Sequence, residues 1–517
     1  MALACNPTDT PGALQKGYIV SVEVSGKRVI DAGSVVDVPA DKVEITIEFT
    51  SEAVPESAGA ASGVSFTGGN LVQRQGSSSN IIVLTPENKL SFGKKYQVKI
   101  NSGTAFGMDL LNDFSFSFTT AYDQSYKFPE IPDEDLLTLI QEHTFKYFKE
   151  NEDPFCGMAK ERNSSDNTMA TGGTGFCIMC LPAAVERGFI NREDAFDWLR
   201  RIVVFLRDKA ERFHGAYPHW IDAATGKAIP FSANDNGGDL VETSYLIMGL
   251  LTAAQYFSTD EDRELNMLID EIWHGVEWDW YTQGQNVLYW HWSPDKGWAM
   301  NMKIQGWNEG LMAYVLAASS PTHPVSPAVY HEGWASGGTM KPSVNGPMFF
   351  AHYSFMGLDP RRLKDKYADY WAQNVAHARY NYEYCVSNPK GHAGYSADCW
   401  GLTASDYPGG YTASSPSNDT GTIAPTAAVA SYPYLPEESL RAMRYFYYVL
   451  GDRLWSNWGF RDAFCLDKGW FANSYIAIDQ GPIMVMLENG RTGLLWDLFM
   501  SRREITVGLD KLGFTRE

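Results

Sequence analysis

The stretch Asp135-Leu-Leu-Thr-Leu-Ile-Gln-Glu-His-Thr-Phe-Lys-Tyr-Phe148 marks a change in the hydrophobic pattern of the chain. Its apolar side chains recur at the three- and four-residue spacing of an amphipathic helix. Pro132 lies just before it, as is common in a first helical turn. Further helical stretches follow, and the clearest are residues 172–187, 192–211, 239–257, 260–276, 361–384, 436–450 and 480–501, the last interrupted near Gly490.

This succession of helices predicts the fold of residues 133–517. Helices in antiparallel pairs can close into an (α/α)6 barrel, in which the loops at one end form a cleft. No alternating strand pattern recurs at βαβ spacing, which argues against a TIM barrel or a Rossmann fold. An open helical solenoid is the alternative, but the sequence has no fixed-period repeat to support it. We therefore expect an all-α (α/α)6 barrel.

The region before the helices has a different period. Residues 17–121 contain short alternating runs separated by Gly, Asn and Ser, at residues 18–24, 43–49, 81–84, 96–100 and 114–120. Such runs predict a small all-β sandwich. Leu90-Ser-Phe-Gly-Lys-Lys-Tyr-Gln-Val-Lys-Ile100 and the closing Phe-Ser-Phe-Thr-Thr resemble bacterial Ig-like domains. We expect a spacer or packing module, joined to the helices by a polar linker at residues 122–132.

The N-terminal tail, residues 1–16, begins Met-Ala-Leu-Ala-Cys5 and continues with a polar stretch. Small residues before a cysteine resemble the end of a bacterial lipoprotein signal. A lipid anchor at Cys5 would place the protein in the periplasm or at the cell surface, as an outer-membrane lipoprotein of a Gram-negative bacterium. The alternative is an incidental cysteine in a tail. Cys177 and Cys180 lie in an apolar stretch, and we expect them to be buried.

Composition limits the partners of this 517-residue chain. Its net charge of −20 disfavours nucleic acid, because an acidic protein repels phosphate backbones. Aromatic residues make up 14% of the sequence, including 16 Trp and 27 Tyr. Their flat faces can pack against the C–H faces of sugars, although a large aromatic core is an equally good interpretation. A neutral substrate fits this composition better than a polyanion.

One group of carboxylates lies in Phe231-Ser-Ala-Asn-Asp235-Asn-Gly-Gly-Asp239-Leu-Val-Glu242-Thr243. Asp239 and Glu242 are three residues apart, which places them on one face of a first helical turn. Helix capping alone could explain both residues. However, Asp235 adds a third carboxyl group, which is more than a cap requires. We therefore consider Asp239 and Glu242 candidate catalytic residues, and Asp235 and Thr243 candidate substrate-binding residues.

A second group runs from Tyr289-Trp290-His291-Trp292 to Trp307-Asn308-Glu309-Gly310. Its tryptophans suggest a platform for sugar rings, so we predict that Trp290, His291, Trp292 and Trp307 bind substrate. The surroundings of Glu309 could raise its pKa and keep it protonated as an acid. The alternative is a buried glutamate hydrogen-bonded to a neighbouring loop.

Two further acids complete the candidates. Asp479, in Ala477-Ile-Asp-Gln-Gly-Pro482, is the only charged residue between Lys468 and Glu488, although a simple helix cap would also explain it. Asp406, in Trp400-Gly-Leu-Thr-Ala-Ser-Asp406, could line the cleft or lie in an ordinary surface loop. No nucleophile-elbow signal surrounds Ser405, and the histidines lack metal-ligand spacing.

Together these motifs resemble a known family. The set comprises Gly172-Gly-Thr-Gly-Phe176, Pro218-His-Trp-Ile-Asp222, 235–243, Tyr289-Trp-His-Trp-Ser-Pro294, Trp307-Asn-Glu-Gly310, 317–324, Trp400-Gly-Leu-Thr-Ala-Ser-Asp406 and Ile478-Asp-Gln-Gly-Pro482. In this order they are similar to the bacterial glycoamylase domain of glycoside hydrolase family 144, over about residues 130–510.

The resemblance implies an (α/α)6 barrel that hydrolyses β-1,2-glucan or its oligosaccharides, with no metal or organic cofactor. It also implies an inverting mechanism that uses two carboxyl groups. Glu309 would be the general acid and Asp479 the partner carboxylate. Asp235, Asp239 and Glu242 would bind the glucose at the cleavage point or help to place water. We expect a monomer that contacts a membrane only through Cys5.

Other functions stay open at this stage. A different glucosidase or a polysaccharide lyase could use the same barrel, although a lyase needs Arg or Lys in its cleft and these motifs contain almost none. A non-catalytic glycan-binding lipoprotein is the third possibility. Whether the action is endo or a sophorose-releasing exo action depends on whether the long loops close one end of the cleft.

Overall fold

The computed structural model describes residues 14–30, 33–56 and 63–516. Its two compact units are not simple halves of the chain. The first contains the described residues up to Gln124, together with Lys390–Gly394 and Leu466–Trp470. The second contains Ser125–Pro389, Tyr395–Cys465 and the described residues from Phe471 onward. Cys5 lies outside the described residues, so its lipidation stays a prediction.

The first unit is strand-rich. Its five-stranded sheet has the order Lys27–Arg28, Ile19–Val24, Ile45–Phe49, Ile81–Pro86, Leu71–Gln75. A four-stranded sheet has the order Ser34–Val38, Phe114–Thr120, Lys95–Ile100, Val64–Phe66, and a three-stranded sheet has the order Lys16–Gly17, Met108–Leu110, Gly103–Ala105.

Alternation explains how these sheets share one core. Within Ile45–Phe49 every second side chain is buried, because successive residues of a strand point to opposite faces. Ile47 pairs with Ile82 in one sheet, and Phe118 pairs with Tyr96 in the other. All four side chains belong to a single hydrophobic cluster. The strand-rich class predicted for this region is confirmed.

The sequence pattern predicted the five most apolar strands of this region and missed weaker ones. Ser34–Val38, Val64–Phe66 and Leu71–Gln75 are strands in the structure. Leu71–Gln75 has the sequence LVQRQ and buries only Leu71, so its apolar residues do not alternate. It forms the edge of its sheet, where half of the backbone and most side chains face solvent.

The second unit is helical, as predicted. Its α-helices are Asp133–Asn151, Thr171–Glu186, Arg192–Asp208, Leu240–Tyr256, Arg263–His274, Leu311–Ser319, Tyr370–Ser387, Pro425–Val429, Pro436–Arg444, Gly451–Leu454, Ala477–Arg491, Leu494–Met500 and Arg503–Leu512. Caps determine several starts: the side chain of Asn191 accepts a hydrogen bond from the backbone N–H of Asp194, at 2.8 Å. Within the described residues, none of these helices has both the length and the hydropathy needed to cross a membrane.

Several helix boundaries differ from the prediction, and three of them have a clear physical reason. The helix expected at 361–384 begins at Tyr370, because Asp369 caps it by accepting from the N–H of Ala372. The break expected near Gly490 lies at Gly493 instead, whose φ of 79° is left-handed and ends the first helix. The helix expected at 436–450 ends as an α-helix at Arg444 and continues as π-helix through Val449.

Two helices at the centre of the second unit approach through glycine. Thr171–Glu186 and Leu240–Tyr256 are almost wholly buried. A Cβ atom on Gly249 would lie 2.2 Å from the carbonyl oxygen of Gly175, and one on Gly175 would lie 2.3 Å from that of Tyr245. The two backbones are therefore in direct contact. Cys177 and Cys180, on the first of these helices, are buried as predicted.

Candidate active site

A cavity of about 430 Å³ lies where several helices of the second unit begin. Ala170 precedes the helix Thr171–Glu186, Glu242 lies in the first turn of Leu240–Tyr256, and Glu309 precedes Leu311–Ser319. Ile476 and Ile478 flank the start of Ala477–Arg491. Other lining residues are Glu161, Arg162, His219, Trp220, Phe231, Trp290, Phe349, Tyr353, Ala404, Tyr411 and Ala413. Helix N-termini carry partial positive charge, so the cavity suits carboxylates and hydroxyl-rich ligands.

Glu309 is half-buried at the wall of this cavity. Its backbone carbonyl accepts hydrogen bonds from the hydroxyls of Tyr245 (3.1 Å) and Ser354 (2.6 Å), which hold the loop in place. Burial, together with the charges of Asp239 and Glu242, raises the pKa of the Glu309 carboxyl to about 7. The side chain can therefore keep a proton near neutral pH, as the sequence predicted.

The histidine–carboxylate cluster consists of His219, His291, Asp235, Asp239 and Glu242. Nδ1 of His219 lies 3.0 Å from Oδ2 of Asp239, and Nδ1 of His291 lies 3.1 Å from Oδ1 of Asp235. The Glu242 carboxylate accepts a hydrogen bond from the backbone N–H of Gly172, at 2.7 Å. Glu242 and His219 line the cavity, whereas Asp235 and Asp239 lie behind them, fully buried.

Asp239 both caps a helix and belongs to this cluster. Its Oδ1 accepts from the N–H groups of Val241 and Glu242, at 3.0 and 2.9 Å, so the capping interpretation is correct as far as it goes. Its other oxygen faces the imidazole of His219. Oδ2 of Asp239 is therefore not used by the cap and can interact with a charged neighbour.

Charge compensation governs protonation in this cluster. Burial alone would raise the pKa of Asp239, but the neighbouring His291 and His219 hold it below its usual value. Burial would likewise lower the pKa of His219, yet Glu242 and Asp239 raise it to about 9. Burial raises the pKa of Glu242 despite the nearby His219. Asp239 is thus ionised and His219 protonated at neutral pH.

The aspartate cluster consists of Asp406, Asp462 and Asp479. The backbone N–H of Asp406 donates to Oδ2 of Asp462, at 2.7 Å, and the Asp406 carboxylate is 3.2 Å from the guanidinium of Arg162. The hydroxyl of Tyr353, a lining residue, donates to Oδ1 of Asp479 at 3.3 Å. Asp479 itself is only 1% exposed, within the first turn of its helix rather than at the cap.

Asp462 and Asp479 are interacting buried carboxyl groups, and the pKa of each is raised. Burial and the neighbouring Asp462 raise the pKa of Asp479 well above its usual value. Burial also raises the pKa of Asp462, to about 7. Oδ1 of Asp462 and Oδ2 of Asp479 are buried and accept no hydrogen bond from the described residues, while the two carboxyl groups interact with each other. Ionisation of one carboxyl group disfavours ionisation of the other, and one proton between these two oxygens would satisfy both.

Of the tryptophans predicted to bind substrate, one lines the cavity and the other two do not. Trp290 lines the cavity. His291 and Trp292 form a two-residue strand paired with Gly238–Asp239, so His291 points toward the acids and Trp292 points away. Trp307 packs near Phe355 and Tyr370, with ring centroids 6.3 and 6.1 Å away, behind the cavity wall.

Thr243 is also behind the wall. Its hydroxyl donates to the carbonyl of Asp239 (2.6 Å) and accepts from the N–H of Tyr217 (2.8 Å), so both roles of the hydroxyl are used by backbone. Asp406 lies beside Arg162 instead of lining the cavity itself. The substrate-binding roles of Thr243, Trp307 and Asp406 stay predictions, and their geometry favours support of the wall.

A cation could fit one part of the site. Ligand atoms of His219, Asp235 and Asp239 all lie within 4.8 Å of one another. His219 and Asp239 already form an ion pair, and a protonated imidazole cannot coordinate a metal. At neutral pH these residues therefore compensate one another's charge. The prediction that the site holds no metal stays a prediction.

Sequence reasoning missed several residues of the site. His219 belongs to the motif Pro218-His-Trp-Ile-Asp222, whose sequence alone indicates no role for it. Glu161 and Arg162 form an ion pair of 2.8 Å at the cavity wall, and their sequence neighbourhood is polar and unremarkable. Asp462 has no local signal at all. Its partners, Asp406 and Asp479, come from other segments of the chain.

The chain is similar to several known proteins. The sequence profile of the Glycoamylase family matches residues 301–503, and that of the bacterial Ig-like domain matches residues 29–120. The chain is 42% identical, over 458 residues, to the exo β-1,2-glucooligosaccharide sophorohydrolase (non-reducing end) of Parabacteroides distasonis. The alignment covers 81% of this chain and 62% of that protein, so the chain spans less than two thirds of this relative.

Two solved structures are similar over long stretches. The endo-β-1,2-glucanase from Chitinophaga pinensis, in complex with sophorotriose and glucose, has 47% identity and a TM-score of 0.73 over 75% of this chain and 99% of that one. The β-1,2-glucanase from Parabacteroides distasonis has 36% identity and a TM-score of 0.71 over 98% of this chain and 74% of that one. The chain therefore belongs to the glycoamylase-domain family, glycoside hydrolase family 144, and carries a bacterial Ig-like domain.

Proposed function

We propose that this protein is a glycoside hydrolase that cleaves β-1,2-linked glucan or its oligosaccharides. One observation carries the proposal: Glu309, with a pKa of about 7, shares a cavity of about 430 Å³ with other carboxyl groups. Hydrolysis of a glycosidic bond needs one protonated and one ionised carboxyl group on the two sides of the bond. The names of the relatives support the β-1,2 linkage.

Glu309 is the proposed general acid. Its carboxyl group can hold a proton at neutral pH and give it to the glycosidic oxygen as the bond to the leaving sugar breaks. The nearby Asp239 and Glu242 keep this proton in place before the reaction, because a negative charge beside a carboxyl group raises its pKa. The loop that carries Glu309 is fixed by the hydroxyls of Tyr245 and Ser354.

Asp479 is the proposed partner carboxylate. It shares a proton with Asp462, so the pair carries one negative charge and can accept a second proton from water. The hydroxyl of Tyr353 connects Asp479 to the cavity and can pass that proton. Water then attacks the anomeric carbon from the face opposite the leaving group. The product has inverted configuration, as in enzymes whose carboxyl groups are about 6.5–9.5 Å apart.

The remaining groups of the cavity bind the sugar. Glu242 and Glu161 offer carboxylate oxygens to hydroxyl groups, and His219 offers a charged N–H. Trp290 and Tyr411 supply aromatic faces for the C–H faces of glucose. A lyase would need a free cation for a uronate, but Arg162 at this wall is already paired with Glu161 and Asp406. A neutral glucan is therefore the better substrate.

The same reasoning supports an (α/α)6 barrel for residues 133–517. Helices that begin at residues 171, 240, 311 and 477 present their N-terminal ends to one cavity, as inner helices of such a barrel do. We retain as proposals the boundaries at 17–121 and 122–132, a monomeric state and a cell-envelope location for the protein.

Incubation with linear β-1,2-glucan tests the function. The wild type should release new reducing ends, and a ladder of products indicates endo action whereas sophorose alone indicates exo action. Glu309→Gln should lower kcat by about 10²–10⁴-fold. Asp497→Asn changes an exposed carboxylate of the same unit and serves as the control. Cleavage of another glucan, but not of this one, would refute the proposal.

A further inference from the structure

A second cavity, of about 360 Å³, is present in the helical unit, and it shares no lining residue with the first. Trp280 and Trp298 form its aromatic part, and Glu277, Asp279 and His323 form its polar part. None of these five residues is used by the proposed mechanism. Trp280 is 40% exposed, which is a large apolar area to leave in water without a ligand.

One face of the Trp280 indole is covered by a stacked histidine. The imidazole of His214 stacks on its indole with ring centroids 3.7 Å apart and planes within 14°. His214 has a φ of 51°, a left-handed conformation that costs a non-glycine residue free energy. The neighbouring Gly215 allows this path, because a Cβ atom there would lie 1.9 Å from the carbonyl oxygen of Gly275. The backbone at His214 and Gly215 therefore has a constrained local conformation, and this conformation places the imidazole against the indole of Trp280.

Polar groups surround the exposed indole. Nδ1 of His214 lies 2.9 Å from Oε2 of Glu277, and Nδ1 of His323 lies 3.1 Å from Oδ1 of Asp279. Both carboxylates are well exposed, so their remaining oxygens can accept hydrogen bonds from hydroxyl groups. An aromatic face bordered by carboxylate and imidazole groups is what a sugar ring requires, with its apolar C–H face and polar edge.

One short strand, His291–Trp292, lies between the two cavities. Trp292 contacts Trp280 and His214 edge-on, with ring centroids 6.2 and 4.9 Å away. The preceding residue, His291, points to the opposite side and reaches Asp235. A chain of glucose units bound on Trp280 is therefore separated from the histidine–carboxylate cluster by the thickness of the strand His291–Trp292.

We infer that this second cavity binds glucosyl units of a β-1,2-glucan chain, outside the catalytic cavity. The inference rests on the proposed function for the identity of the sugar. Exposed carboxylates would repel an anionic ligand. A small organic cation could also bind over the face of a tryptophan ring. It is less well matched, because each carboxylate already contacts an imidazole and only one indole of the cavity is highly exposed.

Trp280→Ala in the full chain tests the site. Retardation in native gels containing long linear β-1,2-glucan should fall at least threefold, and KM for that polymer should rise by a similar factor. The kcat on a trisaccharide should stay within twofold, since Trp280 does not line the catalytic cavity. Phe155→Ala removes another exposed aromatic side chain of the same unit, one that does not line this cavity, and should change none of these quantities.

His323→Ala provides a second test, because its exposed side chain can be removed without loss of packing in the core. It should weaken polymer binding in the same direction, and it decides the matter if Trp280→Ala does not fold. Unchanged polymer binding and KM in the folded variants would overturn the second site. So would fluorescence quenching by choline with no effect of glucan. Failure of the wild type to cleave β-1,2-glucan would instead overturn the proposed function, and gel retardation remains measurable in that case.

Discussion

The pKa values of buried aspartates shift in opposite directions in the two acidic clusters of the helical unit. In the histidine–carboxylate cluster, His219 and His291 accompany the acids, and the pKa of Asp239 falls below its usual value. In the aspartate cluster no histidine is present among the described partners, and the pKa values of Asp462 and Asp479 rise. Both clusters are buried to a similar degree. The neighbours, not the depth, therefore determine whether a carboxyl group is ionised.

Because of this difference, we expect the two clusters to have different roles in catalysis. The ion pair of Asp239 and His219 keeps its charges over a wide pH range, because the pKa of Asp239 is lowered and that of His219 is raised, so it can bind sugar hydroxyls and polarise Glu309. A cluster that holds one shared proton can take up or release another near neutral pH, which is what proton transfer needs. Removal of one charge from either cluster should therefore change the properties in which the two clusters differ.

The largest effect is expected from Asp479→Asn. The amide keeps the shape of the side chain but cannot accept a proton, so kcat should fall by about 10²–10⁴-fold with little change in KM. Steady-state kinetics on β-1,2-glucan provides the measurement, with Asp497→Asn as the exposed control. A loss confined to KM would show that Asp479 binds substrate and does not transfer protons.

Stability should respond with opposite signs in the two clusters. The folded pKa of Asp239 is lowered, so its ionised form stabilises the fold above the unfolded pKa, and this contribution is lost as pH falls through the folded pKa. Asp239→Asn should therefore cost about 1–3 kcal/mol at pH 7. The folded pKa of Asp479 is raised, which destabilises the fold at neutral pH, and Asp479→Asn removes that cost.

Calorimetric melting of both variants tests this pair of signs. At pH 7 the Tm of Asp239→Asn should lie below that of the wild type, and the Tm of Asp479→Asn should lie above it. The difference for Asp479→Asn should shrink as pH falls toward about 4, where the unfolded carboxyl group becomes protonated. The difference for Asp239→Asn should shrink only below that pH, as the pH falls through the lowered folded pKa. Equal shifts in the same direction would show that the two clusters do not differ in charge.

Asp462→Asn should move the acid side of the pH profile. The charge of Asp462 raises the pKa of Asp479, so its removal lets Asp479 ionise at lower pH. The acid limb of kcat/KM should shift downward by about one pH unit, while the maximal rate stays within about tenfold. An unmoved limb would mean that the two carboxyl groups are not coupled.

The smallest effect is expected on the alkaline side. Activity requires protonated Glu309, so the wild-type kcat/KM should decline above about pH 7. Glu242 helps to raise the pKa of Glu309, and Glu242→Gln should shift the alkaline limb downward by less than about one unit. Asp295→Asn, an exposed change in the neighbouring loop, should leave the limb in place. An upward shift would contradict the assigned electrostatics.

Local patterns predicted a large part of this molecule. Alternation identified strands such as Phe114–Thr120, and three- and four-residue spacing identified helices such as Leu240–Tyr256. The pattern could not decide between Gly490 and Gly493 as a helix break, because both are glycines. Only the chain path makes Gly493 left-handed. Helix boundaries thus depended on caps and backbone angles that composition does not encode.

The site was predictable where its signal was local. Glu309 and Asp479 stood out because each is an isolated acid among aromatic or apolar residues. Asp462 did not, because its role comes from Asp479 and Asp406, which distant segments deliver. The predicted sugar contact of Trp307 stays a prediction, and its ring packs near Phe355, because sequence does not reveal which side of a loop an indole takes. Trp280 was overlooked for the same reason.

The close contact of Gly175 and Gly249 has a practical consequence for redesign. These residues set the spacing of two helices, and the N–H of Gly172 on one reaches the carboxylate of Glu242 on the other. Any side chain at Gly175 or Gly249 would push the helices apart and carry Glu242 with them. Directed evolution toward other glucans should therefore keep these glycines fixed and vary the exposed rim residues Phe231 and Tyr411, where new shapes cost the scaffold little.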